Sequence, residues 1–193
     1  MQSLSQAGNG VAAYIDSVEE AHKVLVRGLT ASIVTIATDV KFQVEFNPAR
    51  VAEYRLIGYE TRLLDRADFN NDRVDAGDVG SGHTVTALYE IPRAGGPGQA
   101  VDPLRYGARP EAPAGVADEF AVARLRFKAP DSAESRLIER PVTDADAVGD
   151  VAAASADARF AAAVAWFAEA LRQSPHVAAD WAAIRGLADG ARG

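Results

Sequence analysis

Polar and apolar residues alternate without a break over residues 39–46, which read DVKFQVEF. A period of two is what a β-strand with one buried and one solvated face requires. Asn47 and Pro48 end the stretch, because proline has no backbone N–H for a strand ladder and moves the residue before it away from helical geometry. The sequence therefore predicts a strand here, with its apolar side chains on the buried face.

Further strands are predicted on the C-terminal side of this stretch. Residues 83–91 are rich in β-branched and aromatic side chains, residues 120–127 alternate again, and residues 52–59 and 135–141 carry shorter patterns. These strands do not alternate with helical segments, so antiparallel pairing is the simplest arrangement and a doubly wound nucleotide-binding fold is excluded.

Residues 93–117 interrupt the strand pattern. They contain too many glycines and prolines for a regular element, including the run AGGPG at 94–98. The segment is longer than the usual limit of about 12 to 15 residues for a connection without secondary structure. It predicts a long mobile loop.

Helical patterns stand on both sides of the strands. Over residues 17–28 apolar side chains recur every three or four positions, and Asp16 and Glu19 have the spacing of a capping box. Alanine-rich residues 152–172 predict a second helix, and Asp180 is a good N-cap for a third. Three aromatic side chains lie on the apolar stripes of these last two helices and are predicted to be core: Phe160, Phe167 and Trp181.

The order of these elements predicts the α+β fold class: an antiparallel β-sheet or small β-sandwich core with an N-terminal helix and a C-terminal helical hairpin. We place a first segment at residues 1–30, a β-rich domain at 31–148, and the helical hairpin at 149–193, packed on that domain.

Composition narrows the functional classes. The chain has 193 residues with 48% hydrophobic and 24% charged positions, as ordinary globular proteins do. Its net charge of −7 opposes binding to phosphate backbones, so we expect no nucleic acid partner. It has no cysteine, which excludes disulfides and thiolate metal sites. No apolar run approaches the roughly 20 residues of a membrane span, and residues 1–10 resemble neither a signal peptide nor an anchor.

An acidic loop between the second and third predicted strands is the clearest candidate for chemistry. Hard cations such as calcium take six to eight oxygen ligands, and carboxylates at every second position supply them. The pattern departs from a calcium loop, because Arg73 stands where the turn glycine belongs and Val79 where the bidentate glutamate belongs. Aspartate and asparagine also form turns by bonding their own backbone. A polar turn and a calcium or other cation site both stay open, and the candidate ligands are Asp68, Asn70, Asp72, Asp75 and Asp78.

Signatures of catalysis are missing from the sequence. There is no Gly-x-Ser-x-Gly elbow and no His-Glu-x-x-His pair. Of the three histidines His83 is the one that follows the acidic loop, with Asp78 and Asp75 nearby in sequence. We therefore expect a protein that is not an enzyme and has no cofactor, with a hydrolase built on His83 as a third hypothesis.

Three tyrosines on the predicted strands are candidates for a protein interface, because tyrosine offers rigid, amphipathic contact area. They are Tyr54, Tyr59 and Tyr89. The alternative interpretation is that their rings are core and their hydroxyls reach the edge of the sheet.

Five blocks in fixed order resemble a known family. Residues 39–48, 54–60, 68–72, 75–78 and 82–91 are similar to the region downstream of the von Willebrand factor type A (VWA) domain in bacterial proteins of the YfbK type. Residues 124–130 and the final helices are also similar to that C-terminal region, so the resemblance covers most of the chain.

Residues 8–29 resemble the last strand and last helix of a VWA domain. The Asp-x-Ser-x-Ser signature of the VWA adhesion site is not among these residues, so its metal is not carried over. The first segment, 1–30, is therefore the expected end of such a domain.

The resemblance implies an accessory region, without catalysis, that mediates or supports protein–protein interaction. Its partner would be a protein, with homodimer formation through the exposed face of helix 17–28 as an alternative, and without membrane insertion by this chain. It also implies a location in the bacterial cell envelope or periplasm.

Overall fold

A computed structural model describes residues 13–27, 34–58, 64–74, 76–102, 105, 107 and 110–191. The strands are β1 (Thr35–Phe46), β2 (Arg55–Ile57), β3 (Gly77–Gly80), β4 (Leu88–Glu90), β5 (Glu119–Lys128) and β6 (Ser135–Thr143). The helices are α1 (Val18–His22), which continues as a π-helical turn at Lys23–Arg27, α2 (Ala156–Leu171) and α3 (Trp181–Asp189). Short 3₁₀ helices lie at Arg66–Asn70, Asp144–Asp146 and Val151–Ala153.

The strands form two open sheets. One has four strands in the order β3-β1-β5-β6, and the other pairs β2 with β4. β1 runs antiparallel to β3, and β2 antiparallel to β4 with Arg55 opposite Glu90. β5 and β6 are joined by residues 129–134 only, a connection too short for a parallel pair. The predicted α+β class with an antiparallel sheet and helices at both ends is confirmed.

The chain divides into two compact units. Unit 1 comprises the described residues within 1–45, 63–85 and 123–140, and unit 2 those within 46–62, 86–122 and 141–193. In unit 1 the buried side chains include Phe69 and Lys41. In unit 2 the buried apolar side chains are Val51, Phe120, Ala121, Ala163, Ala170 and Ile184.

The ring of Phe120 is the centre of the β-rich part of unit 2. The guanidinium groups of Arg50 and Arg93 lie 4.1 and 4.7 Å from its centroid, close enough for cation–π attraction. Both arginines also pair with Asp144, at 2.6 and 3.5 Å. The side-chain amide of Asn47 donates to the carbonyl of Glu119 at 2.9 Å and fixes the start of β5.

Several predicted elements begin or end elsewhere. The third predicted strand is reduced to β4, because residues 83–87 form no ladder. β3 was not predicted, since its sequence GDVG lacks the β-branched and aromatic residues of a typical strand. The capping box at Asp16 is wrong: Ser17 is the N-cap of α1, and its side chain accepts the backbone N–H of Glu20 at 3.1 Å.

The predicted loop at 93–117 is partly described. Ala94 donates its N–H to the carbonyl of Arg50, and Val51 bridges to Arg93. Gly95 and Gly98 have φ of 73° and 85°, a left-handed conformation that glycine adopts without steric cost. No helix or strand lies in the described part of 94–118.

The C-terminal hairpin buries a different side from the predicted one. α2 buries Ala163, Glu169 and Ala170, and α3 buries Ile184. The prediction that Phe160, Phe167 and Trp181 are core is wrong, because each is about half exposed. Alanines let α2 pack closely on its neighbours, and Glu169 is held inside by an ion pair. The larger apolar side chains are left on the outer side. None of the helices that the structure describes could cross a membrane.

Candidate functional site

The polar side of β1 in unit 1 is covered. Lys41 is 2% exposed, although a solvated face was predicted for it. Its Nζ donates to the backbone carbonyl of Asn71 at 2.6 Å and lies 3.4 Å from the carboxylate of Asp39. Residues that follow the 3₁₀ helix Arg66–Asn70 therefore lie over this side of the strand, and buried Phe69 anchors that helix.

Asp72 is held by β5 and β6. Its carboxylate accepts from the hydroxyl of Ser135 at 2.6 Å and from the guanidinium of Arg126 at 3.0 and 3.1 Å. Lys128 donates to its backbone carbonyl at 3.1 Å. The hydrogen bond from Ser135, followed by that from Arg126, lowers the pKa of Asp72. This carboxylate thus already has donors from two strands.

Asp39 has an unusual backbone conformation for a strand residue. Its φ is 52°, and the β1–β3 register shifts between Ala37 and Val40, as at a β-bulge. The left-handed conformation is unfavourable for most residues but is tolerated by aspartate. Its carboxylate lies 2.9 Å from Nζ of Lys128, and its N–H donates to the carboxylate of Asp78 at 3.3 Å. Sequence analysis missed Asp39 as a member of this acidic and basic cluster.

The five predicted cation ligands have different surroundings. Asp68 accepts from the side chain of Asn71 at 3.5 Å, Asn70 ends an exposed 3₁₀ helix, and Asp75 lies outside the described residues. Asp72 and Asp78 are bonded as given above. Nowhere in the described segments do three or more histidines, aspartates or glutamates come together as a metal site would require. The cation hypothesis stays a prediction.

Arg124 of β5 forms ion pairs with both neighbouring strands, and we call these three charged side chains the charge ladder. It donates to Glu139 of β6 at 2.7 Å and to Glu45 of β1. These two hydrogen bonds, with Glu139 the larger, raise the pKa of Arg124. The pairing shows that Glu45, Arg124 and Glu139 occupy one face of the sheet.

The opposite face of this sheet exposes two large apolar side chains. Because successive strand residues point to opposite faces, Phe42 and Ile138 lie away from the charge ladder. They are 55% and 52% exposed. Half-buried apolar side chains of β1 and β5 share their face: Val40, Val44, Leu125 and Phe127. We call these six residues the apolar sheet face. The predicted burial of the apolar side of β1 is therefore wrong for Phe42. At this point of the strand the segment after Phe69 covers the other side, where Lys41 is buried.

Two of the three tyrosine candidates, Tyr54 and Tyr89, contact Phe46 in an aromatic cluster of unit 2. The ring of Tyr54 stacks on Phe46 with centroids 4.5 Å apart, and Tyr89 meets Phe46 edge-on at 5.3 Å. Tyr54 is 64% exposed and Tyr89 is half-buried. Tyr59 lies outside the described residues. One side of the Tyr54 ring is thus fixed by Phe46 while much of the ring stays accessible.

An ion pair beside this cluster ties α2 to the β2–β4 sheet. Arg55 donates to Glu90 at 2.7 Å and to Glu169 at 2.9 Å. Glu169, 4% exposed, also accepts from the hydroxyl of Ser174 at 2.8 Å. The hydrogen bonds to Ser174 and then Arg55 lower the pKa of Glu169, and the one to Glu90 is the main cause that raises the pKa of Arg55. These side chains bond to one another and stabilise the packing of α2 on the β2–β4 sheet.

The histidines lie apart in the fold. His22 belongs to α1, His83 is exposed in the turn after β3, and His176 is in the connection between α2 and α3. His83 donates its backbone N–H to the carbonyl of Gly80 at 3.1 Å. The hydrolase hypothesis stays a prediction.

Comparison with known proteins gives one family and one relative. Residues 31–193 match the family described as "Uncharacterized protein YfbK, C-terminal". The chain is 41% identical over 195 residues to "Uncharacterized protein YfbK" of Escherichia coli (strain K12). That similarity covers 100% of this chain and 33% of the relative, so the chain spans about a third of the relative's length. No solved structure matches.

Proposed function

We propose that the chain, which belongs to the family of YfbK C-terminal regions, is a non-catalytic accessory region that binds another protein. The apolar sheet face is the proposed binding surface. The partner's contacting surface is apolar, because the sheet face presents side chains of that kind.

The exposure of Phe42 and Ile138 carries this proposal. A sheet in a globular protein normally covers its apolar side, whereas here Lys41 on the charged side of β1 is buried and its neighbour Phe42 on the apolar side is exposed. Full burial of a large apolar side chain is worth about 1.5 to 3 kcal/mol, so covering the exposed half of each supplies roughly 1 kcal/mol. The four half-buried neighbours on the same face extend the apolar contact, and Arg136 and Arg140, exposed on β6, flank Ile138 on that face.

The ion pairs on the other face of the sheet also favour the apolar sheet face as the binding surface. Arg124, Arg126 and Lys128 are each engaged with acidic partners within unit 1. A partner that bound that face would have to displace several ion pairs. The apolar sheet face offers binding without that loss.

The family resemblance supports a place for this region beside a VWA domain. The matched range begins at residue 31, directly after the segment that resembles the end of such a domain. We propose that the region accompanies a VWA domain and works at the bacterial cell envelope. The exposed side chains of α1 and its π-helical turn, Val18, Leu25 and Val26, are a further apolar surface for the homodimer alternative through helix 17–28.

Affinity capture tests the proposed surface. The tagged chain and its Phe42→Asp variant are used to capture proteins from an extract of the native organism, and the captured protein is then purified and titrated against each. Val85→Asp is the matched control, because Val85 is 86% exposed in unit 1 and lies outside the apolar sheet face. We expect saturable binding by the wild type and Val85→Asp and its loss with Phe42→Asp.

Two results would overturn the surface assignment. One is equal affinity of wild type and Phe42→Asp for the purified partner. The other is loss of binding with Tyr54→Ala while Phe42→Asp still binds, which would assign the interface to the aromatic cluster of unit 2. Circular dichroism spectra of all variants establish that each is folded.

A further inference from the structure

The two helices of the C-terminal hairpin enclose an open apolar groove in unit 2. Its floor is formed by the buried side chains Ala163 and Ile184, and its rim by Val164, Phe167 and Trp181, with Arg185, which pairs with Asp189, at the edge on α3. The rings of Phe167 and Trp181 meet edge-on at 6.0 Å. Phe160 and Leu171 extend the rim along α2 in both directions, at 55% and 62% exposure.

The outer side of α2 carries no charged residue along this stripe. Between Asp157 and Arg172 the charged residues of α2 are Arg159 and Glu169. Arg159 donates to the carbonyls of Ala154 and Gly190, and Glu169 is held by Arg55 and Ser174. Both are thus turned to other parts of unit 2. The stripe exposes on the order of 450 Å² of apolar surface, within the size range of the largest patch on a typical monomer, which is often functional.

We propose that this groove is an interface between two copies of the chain, in which α2 packs antiparallel to α2 of the second copy. The two-fold axis passes near residues 165–166. This inference rests on unit 2 and is independent of the apolar sheet face proposed above.

The spacing of the stripe is self-complementary about that axis. Phe160 meets Leu171 of the second copy, and Val164 meets its Phe167, so the four large side chains of the α2 stripe face one another. A two-fold interface requires this kind of reciprocity, since each residue pair occurs twice.

Reciprocity and area favour a second copy over an unrelated occupant. Antiparallel packing about this axis opposes the two helix dipoles favourably, and Arg172 stays paired with Glu169 of its own copy at 3.4 Å. Two copies together bury roughly 1,000 Å², the lower limit for a specific interface. The expected dimer is therefore concentration-dependent.

Sedimentation velocity over a wide range of concentration tests the dimer. Leu171→Asp should weaken self-association at least about tenfold, because it places a charge against Phe160 of the second copy. Leu25→Asp is the matched control: it makes the same change at 57% exposure in the π-helical turn of unit 1. The double variant Phe160→Lys with Leu171→Asp should restore association, because the two new charges face each other across the axis.

Cysteine cross-linking tests the geometry without a change of charge. The chain contains no cysteine, so an introduced thiol is unique. Val164→Cys lies near the axis and should be linked between copies by a short bifunctional maleimide, whereas Ala158→Cys, exposed on the opposite side of α2, should not.

A wild-type chain that stays monomeric at every concentration, with no link through Val164→Cys, would overturn the proposed dimer. A dimer lost with Leu25→Asp but kept with Leu171→Asp would also overturn it, and would assign self-association to the α1 segment. Neither outcome depends on whether Phe42→Asp loses a protein partner, so the two proposals fail separately.

Discussion

Glu169→Ala should destabilise the chain by about 2 to 3 kcal/mol. Hydrogen bonds to charged groups contribute about 1.5 to 3 kcal/mol each, and breaking a fully buried pair costs about 3 to 5. Glu169 is buried, but the side chain of Arg55 is 30% exposed and keeps its bond to Glu90. The cost therefore lies below the range for a fully buried pair. Loss of the acceptor for Ser174 adds to it.

Urea unfolding followed by circular dichroism measures this cost at neutral pH. The matched control is Arg185→Gln, because the Arg185–Asp189 pair is exposed and such pairs contribute at most about 1 kcal/mol. A Glu169→Ala variant within about 0.5 kcal/mol of wild type would refute the reasoning, since a buried carboxylate with three partners, Arg55, Arg172 and Ser174, is then not contributing.

The same ion pair predicts a pH dependence with a definite sign. Because the pKa of Glu169 is lowered in the folded chain, its contribution is fully present above the unfolded value, near 4.3, and is lost as the pH falls through the folded value. The stability difference between wild type and Glu169→Ala should therefore shrink on acidification below about pH 4.3. A difference that grows there would contradict the assignment.

Four further outcomes are expected. Gln173→Gly should stabilise the chain by about 0.5 to 1 kcal/mol in the same assay, because Gln173 follows α2 with φ of 56°, where glycine is favoured; a destabilised variant would contradict this. Lys41→Met should cost about 1 to 3 kcal/mol in urea unfolding, because it removes the donor to a buried carbonyl, and unchanged stability would show that the contact contributes nothing. Ser135→Ala should raise the pKa of Asp72 in carboxyl NMR titration, and an unmoved pKa would remove Ser135 as its main cause. Excess calcium should shift the thermal midpoint by less than about 2 °C, because Asp72 already has donors, and a larger shift reversed by chelator would support the cation alternative.

Local patterns predicted much of the fold. β1, β5 and β6 appear where alternation indicated strands, and α3 begins after Asp180, whose side chain accepts the N–H of Ala183. These signals depend on neighbours in sequence, so they can be read from the sequence itself. β3 carries no such signal, because its glycine-rich sequence forms a strand only through pairing with β1.

Burial was predicted less well than the elements, because it depends on contacts between distant residues. Lys41 is buried since the segment after Phe69 covers it, and Phe42 is exposed on the other side of the same strand. Likewise the ion pair between Arg55 and Glu169, 114 residues apart, decides which side of α2 faces inward. Hydrophobic periodicity records which residues share a face, but not which face is covered.

The candidate sites, like burial, depend on contacts between residues that are distant in sequence. Residue type left Tyr54 open between an interface and the core, and its ring is 64% exposed; the acidic pattern included Asp72 and Asp78 as candidates. The basic partners on β5 and the bulge residue Asp39 could not be paired with that loop before the strand order was known. The interaction role of the tyrosines stays a prediction.

The central claim is that the apolar sheet face binds a protein, and the affinity of Phe42→Asp for the purified partner tests it most directly. A charge placed at the centre of an apolar interface should cost at least 2 kcal/mol, which corresponds to about a 30-fold weaker affinity, while Val85→Asp binds as the wild type does. Equal affinities of Phe42→Asp and wild type, measured by calorimetry on folded proteins, would contradict the account.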